Sequence, residues 1–368
     1  MKVFVPRAAL LAEEGVLTCQ KCGMWYPITQ GIPRLLIPGP LRSNDPAFLK
    51  KWKLRPSERG RRRSPDENDA LVTQSQVQKV FAFKWKSQKD WGIHGGAAKF
   101  MRKWSFEKYG WKNDRDYQAF SKTKRVMLDA GCGLGREAMR MAASNDAARV
   151  VGLELSACVE EARAHADEKK LKNLLLVQGD IMYPPFKKSV FDFVYSEGVL
   201  HHTSNTRTAV QRMADLLGRG GEFAFYVYRK KAPLREFADD YVRDQLQKVP
   251  LKEALRMMEP LTRLGKALSD KKIRIRVPAD VPVLGLRSGR YDFQRWVYNA
   301  MFKCFWSDAM SFKENVLVNF DWYMPRFAWR HTEQEVRQWL KEMKLLIKRE
   351  FVEDAGITIR AVRKSRRK

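Results

Sequence analysis

The chain has 368 residues, 44% of them hydrophobic, with 70 Lys and Arg against 42 Asp and Glu and a formal net charge of +28. That apolar share is ample for a buried core and suggests one large domain or two, while the charge favours polyanions, acidic substrates or a membrane surface, or marks a generally basic protein. No run approaches the roughly 18 consecutive apolar residues of a membrane-spanning helix, the start Met1–Arg7 lacks the apolar stretch of a secretion signal, and five scattered cysteines make no disulfide framework, so the expected location is the cytoplasm.

Residues 1–40 read as a small module. Cys19 and Cys22 have the spacing of a zinc knuckle, two thiolates on a tight turn. A tetrahedral site needs four ligands, and no second pair lies nearby. The segment resembles the second half of the small zinc-ribbon proteins that accompany some methyltransferases, with Phe4–Leu11 standing where those carry an upstream pair. The resemblance implies zinc on Cys19 and Cys22, shared between chains, or else a degenerate ribbon that only packs.

Residues 41–76, crowded with Lys50, Lys51, Lys53, Arg55, Arg59, Arg61, Arg62 and Arg63, read as a solvated basic linker or a polyanion-binding arm. Residues 77–123 interleave aromatics (Phe81, Phe83, Trp85, Trp91, Trp104) with lysines. That pattern fits a helical cap over a pocket, or a surface on which bases stack.

From 124 to 232 strands and helices alternate. Val126–Ala130 is an apolar run carrying an acid, followed by Gly131, Gly133 and Gly135 at alternate positions and a helix from Arg136. Further strands end near Glu154, Asp180 and Glu197, with helices over 157–170 and 207–217 and a last strand over 222–228. Such alternation predicts a mostly parallel α/β sheet with right-handed crossovers, whose ligand sits at the carboxyl ends of the strands. Residues 233–325 interrupt it with a long, mainly helical insertion that serves as lid and acceptor subdomain. Residues 326–363 restore it with a helix capped by Thr332 and Glu335 and two closing strands, and 364–368 form a basic tail.

The glycine spacing differs from the G-x-G-x-x-G of dinucleotide sites, and no Walker lysine follows. What remains is a nucleoside ligand with little phosphate demand, its ribose diol donating to Glu154 and an amino-acid moiety near Asp129.

These motifs together resemble the class I S-adenosylmethionine-dependent methyltransferases, in the ubiquinone/menaquinone-biosynthesis-like branch: Leu128–Arg136, Gly152–Glu154, Gln178–Ile181 and Ser196–Thr203, in the same order and at the same spacing. The resemblance implies a Rossmann-like α/β fold with S-adenosyl-L-methionine as donor. It implies that Gly131 and Gly133 pass under the methionine part while Asp129 holds its ammonium, that Glu154 takes the ribose hydroxyls, that Asp180 accepts from the adenine amino group with Ile181 on the ring, and that Cys132, Gly135, Leu155 and Ser196 belong to the same cofactor-binding set. Candidate bases are His202, then His201 and Glu197, needed only if the acceptor starts as an O–H or N–H of high pKa. His331 and Tyr323 are further groups that would have to reach in from the C-terminal half.

Three functions fit. The first is methyl transfer to a small-molecule, lipid or sugar acceptor, favoured by the aromatic insertion. The second is RNA methylation through the basic segments. The third is a non-catalytic binding or assembly protein of the same fold, against which the intact Asp129, Glu154 and Asp180 argue.

Overall fold

The computed structural model describes residues 13–18, 25–36, 46–54, 65–89 and 91–364. A small antiparallel sheet opens the chain: β1 (Glu14–Thr18), β2 (Trp25–Thr29) and β3 (Ile32–Pro33). Four helices follow: α1 (Pro46–Lys51), α2 (Pro65–Ser87), α3 (Gly95–Tyr109) and α4 (Asp114–Lys122). The alternating core is β4 (Val126–Ala130), α5 (Arg136–Ser144), β5 (Arg149–Glu154), α6 (Val159–Glu168), β6 (Leu174–Gln178), β7 (Phe191–Glu197), α7 (Thr206–Asp215) and β8 (Leu217–Arg229). The insertion holds α8 (Pro233–Leu246), α9 (Leu251–Asp270), the hairpin β9 (Arg274–Val277) and β10 (Gly289–Asp292), α10 (Phe293–Ala300) and α11 (Phe312–Tyr323). The chain closes with β11 (Arg330–His331), α12 (Glu333–Glu342), β12 (Leu345–Val352) and β13 (Gly356–Arg363).

The main sheet runs β12-β13-β8-β7-β4-β5-β6, with β11 beside the end of β8. Strands β6, β5, β4, β7 and β8 are mutually parallel, and β13 is antiparallel to both its neighbours. The chain leaves β4 toward β6 and then returns to β7 on β4's other side. That reversal opens a crevice above the carboxyl ends of β4 and β7, where open α/β sheets bind ligands. One face of the sheet buries Val210, Met213, Val336 and Leu340 from α7 and α12. The other buries α5 and α6 together with Phe106, Tyr109, Trp111 and Tyr117.

Three boundaries differ from those expected. The 1–40 module is not free-standing. Arg34 pairs with Gln178 at the outer edge of β6, the Leu35 amide donates to the Gln178 carbonyl at 2.7 Å, and Tyr26 and Leu35 join the main core. An exposed edge strand is thereby covered. The 41–76 interval is not a plain linker, because α2 starts at Pro65 and runs through residue 76 into the cap. Proline followed at once by Asp66 and Glu67 is a helix-start signal that the charge run obscured. Finally, 233–325 carries the β9–β10 hairpin as well as helices.

The insertion is organised by one face of α11. Asn315, Asn319 and Tyr323 stand four residues apart and take the main chain of Ser307, Phe305 and Lys303 in turn. The Ser307 amide donates to Asn315 Oδ1 (2.8 Å), the Phe305 amide to Asn319 Oδ1 (2.7 Å) and the Lys303 amide to the Tyr323 hydroxyl (2.8 Å). The spacing works because four helical residues rise about 6.0 Å and two extended residues about 6.6 Å. On the opposite side α9 comes so close that a Cβ on Gly265 would lie 2.4 Å from the Cys304 carbonyl oxygen. The fully buried Asn319 also donates to Thr262 Oγ1 and the Phe305 carbonyl. Asn319→Leu should therefore strand several buried polar groups and lower stability by about 2–4 kcal/mol in urea melts. A change within experimental error would show that the clamp does not hold the insertion.

Candidate active site

The turn after β4 is built from backbone. The amides of Gly131 and Cys132 both donate to the Leu153 carbonyl, at 2.7 and 3.0 Å, so the turn is strapped to the neighbouring strand β5. Gly131 has φ 81°, and a Cβ there would meet the Val199 methyls at 2.5 Å. Glycine is required on both counts. The Gly133 amide donates to Glu154 Oε2 at 3.0 Å, and the Ser156 amide to Glu154 Oε1 at 2.8 Å. Glu154 is thus fixed at the end of β5 by one amide from each side, and each carboxylate oxygen retains accepting capacity.

Asp129 accepts the Ala138 amide at 2.9 Å through Oδ2, capping the first turn of α5. Its burial, with Glu137 adding to it, pushes the carboxyl up to about 8. Glu137 is buried too, but Arg140 and Arg136 hold it below the usual carboxylate range. Asp180 accepts the Met182 amide at 2.8 Å through Oδ1, and burial raises it to about 6. Both Asp129 and Asp180 keep a second oxygen without a hydrogen-bond partner among the described residues.

These groups border one cavity of about 610 Å³. Of the expected site residues, Asp129, Gly131, Cys132, Gly133, Glu154, Leu155, Asp180, Ile181, Glu197 and His202 line it. Three others do not. Gly135 turns into α5 and faces α6, where a Cβ would lie 3.1 Å from the Ala162 Cβ, so its smallness serves helix packing. Ser196 is fully buried and donates to the Ala130 carbonyl at 2.8 Å, joining the ends of β7 and β4. His201 is fully buried against the Tyr228 ring, with centroids 3.7 Å apart, and burial depresses its imidazole well below the ordinary range. His331 packs on Trp339, and Tyr323 is spent on the α11 clamp. Cys19 and Cys22 lie outside the described residues. Among the described residues no group of three or more His, Cys, Asp or Glu could hold a metal ion.

Glu197 is already fully engaged. It pairs with Lys108 and accepts from the Tyr109 and Tyr195 hydroxyls, so it has little capacity left for a proton-transfer role. His202 differs. Its Nδ1 lies 2.6 Å from the Phe327 carbonyl, and a carbonyl only accepts, so Nδ1 carries the proton and Nε2 is the acceptor. Burial lowers this imidazole to about 4, against the pull of Asp321.

The remaining walls were not assigned residue by residue from sequence. Val77, Gln78, Phe81, Lys84 and Trp85 line the cavity from a single face of α2, and Gln78 donates to the Leu155 carbonyl at 2.9 Å. Their three-to-four-residue spacing was the available signal. Lys84 is buried, pairs with Asp321 of α11 at 2.8 Å and lies 4.1 Å from the Trp85 ring centre, so it ties cap to insertion. Tyr226 and Tyr228 of β8, Arg295, Lys303 and Trp322 of the insertion, and Glu353 and Asp354 after β12 also line it.

The sheet order, the strapped glycine turn and the three strand-end acids converge with one comparison: a family model described as methyltransferase domain matches residues 128–225. Residues 128–225 thus carry the sequence pattern of that family over the part of the sheet that holds the glycine turn and the strand-end acids. A tRNA U34 carboxymethyltransferase from Shewanella amazonensis is 38% identical over 116 residues, 30% of this chain and 34% of that protein. A 27-O-demethylrifamycin SV methyltransferase from Amycolatopsis mediterranei is 33% identical over 100 residues, 27% and 36% of the two chains. The chain thus spans about a third of the length of these curated relatives. A solved magnesium protoporphyrin IX methyltransferase from Synechocystis PCC 6803 superposes with a TM-score of 0.43 at 15% identity, over 79% of this chain and 100% of that one.

The raised Asp129 gives the site a measurable signature. The native carboxyl keeps its proton up to about pH 8, whereas an unfolded one loses it near about 4. Folding stability from this group is therefore present at low pH and is lost as pH rises through about 8. In urea melts, wild type should lose stability relative to Asp129→Asn between pH 5 and pH 8.5. A pH-independent difference would contradict the assignment.

Proposed function

We propose that this chain is an S-adenosylmethionine-dependent methyltransferase whose acceptor is a small organic molecule enclosed between cap and insertion. The observation that carries this reading is the convergence of Asp129, Glu154 and Asp180 on one cavity, each with accepting capacity left over. That donor set fits S-adenosylmethionine: Asp129 would take its ammonium, Glu154 its ribose hydroxyls and Asp180 its adenine amino group, with Ile181 and Leu155 against the apolar faces. When bound, the donor supplies a methyl group activated on a sulfonium.

The protein's own work is then positional. The strapped turn and Glu154 offer a preset binding surface. The aromatic rings of α2, Trp91 and Trp104 keep water from the cavity, and the cap and insertion orient the acceptor. His202 Nε2 accepts from an acceptor O–H or N–H and aims its lone pair. With an imidazole at about 4, it takes that proton only as positive charge develops on the attacking atom. Glu197 and His201 have no proton-transfer role in this reading. Cys19 and Cys22 remain candidate zinc ligands of the ribbon-like module.

A second reading, methylation of RNA, draws on the net charge of +28 and on the similarity to tRNA U34 carboxymethyltransferases. The cap residues on the cavity favour the small acceptor. Incubating the protein with methyl-labelled donor, a small-molecule extract and total RNA separates the two, since label should enter the small-molecule fraction. Label confined to RNA would overturn the first reading.

Calorimetry tests the donor half. S-Adenosylhomocysteine should bind the folded protein, and Glu154→Ala should weaken it by about tenfold or more. Because Asp129 must lose its proton to face an ammonium, affinity should rise from pH 6 to pH 8 with proton release. Asp129→Asn should flatten that rise. No binding to folded wild type would refute the donor assignment.

A further inference from the structure

Lys303 is the one cation lining the cavity whose charged head makes neither an ion pair nor a hydrogen bond among the described residues, since Lys84 and Arg136 are ion-paired and Arg295 donates to the Trp306 carbonyl. It is 5% exposed, lines the cavity, and makes no ion pair or side-chain hydrogen bond through its ammonium among the described residues. The acids around it are engaged elsewhere. Asp321 pairs with Lys84 at 2.8 Å. Asp239 is held by Arg235 and by the Trp322 indole, each at 2.8 Å. Asp354 accepts from Asn299 at 2.7 Å. The ammonium rests 4.6 Å from the Trp322 ring centre. Burial drives it well below the ordinary lysine range, and Arg235 adds to that, as expected of a cation whose neighbours do not neutralise it. Its backbone cannot relax away, since the Lys303 amide is tied to Tyr323 on α11 and Gly265 of α9 closes the other side.

Its place in the cavity matters as much as its charge. From the glycine turn the wall runs through the Val199–His202 loop to Tyr228, whose ring centre is 5.4 Å from His202 and 4.3 Å from Trp322, and then to Lys303. Lys303 thus stands beyond the donor end, across two aromatic rings from His202.

We propose that Lys303 is the anion anchor of the acceptor site, and that the methyl acceptor is an organic anion. It bears a carboxylate or phosphate that docks on Lys303, an apolar body on Tyr228 and Trp322, and its nucleophile at His202. The proposal rests on the donor reading above for its methyl chemistry, but not for the anion site itself. An oxyanion beside Lys303 restores the charged form that burial disfavours, and the resulting ammonium–oxyanion contact, screened from water, is charge-assisted and one that a neutral isostere cannot make.

The test uses the full chain and three probes of one shape: 2-naphthoate, 2-naphthyl phosphate and neutral 2-naphthamide. Each is titrated with and without saturating S-adenosylhomocysteine. Wild type should bind at least one anion about tenfold or more tighter than the amide, and the better anion identifies carboxylate or phosphate. Lys303→Met should abolish that preference while leaving S-adenosylhomocysteine affinity unchanged, and Lys303→Arg should retain it. Should the methionine variant not fold, wild type still decides. Acetylation of Lys303 by acetic anhydride, read by peptide mass spectrometry, should be suppressed by the anion and not by the amide. Equal binding of anion and amide, a preference that survives in Lys303→Met, or acetylation indifferent to the anion would overturn the proposal. If S-adenosylhomocysteine fails to bind but the anion preference stands, the donor reading fails and the anion site does not.

Discussion

The carboxylate of Glu154 holds the centre of this molecule together. It accepts one amide from the turn after β4 and one from the residues after β5, so two neighbouring strand ends share a single anion. Only a turn with a glycine at 131 comes close enough, because any side chain there would run into Val199. The result is a surface of oriented amides and buried carboxyl groups fixed before any ligand arrives. Pre-organisation of this kind spares a site the entropy of ordering itself on binding.

Around that rigid centre the chain adds two anchored layers of its own. The face of α2 is tied to the core by Gln78 on Leu155, and to the insertion by the buried pair of Lys84 and Asp321. The insertion is in turn registered by α11, whose four-residue repeat of Asn315, Asn319 and Tyr323 matches the two-residue repeat of an extended segment. Helix and strand periods seldom coincide, and here their near-match fixes Lys303 at a set depth. The buried Arg235–Asp239 pair and the Trp322 indole carry the same framework outward, and removing either partner would leave a charge stranded. The end of the cavity at the glycine turn is therefore shaped by backbone, and the opposite end by side chains brought from three separate parts of the chain.

That division explains what the sequence disclosed. The core was legible because its signals are local: a glycine triplet, acids at strand ends, and alternating strands and helices. The closing antiparallel strands and the Thr332–Glu335 cap were legible for the same reason. Ser196 and His201 sit within readable motifs, yet a period-two strand and a single turn of 3₁₀ helix point them into the core, a matter of orientation that spacing alone leaves open. Gly135 belongs to the triplet but answers to α6, a long-range contact. The start of α2 was hidden by neighbouring charge. Lys303 was invisible because its setting comes from residues far away in sequence, and an isolated lysine in an aromatic stretch carries no pattern.

In the function proposed above, the three strand-end acids and the glycine turn hold the donor, facing Lys303 across Tyr228 and Trp322. A crystal structure of the chain soaked with S-adenosylhomocysteine tests it most directly. The ribose hydroxyls should lie on Glu154, the adenine amino group on Asp180 and the ammonium beside Asp129, with the sulfur turned toward His202 and the Lys303 end left open. Ligand density elsewhere on the protein, or a sulfur turned away from His202, would contradict it.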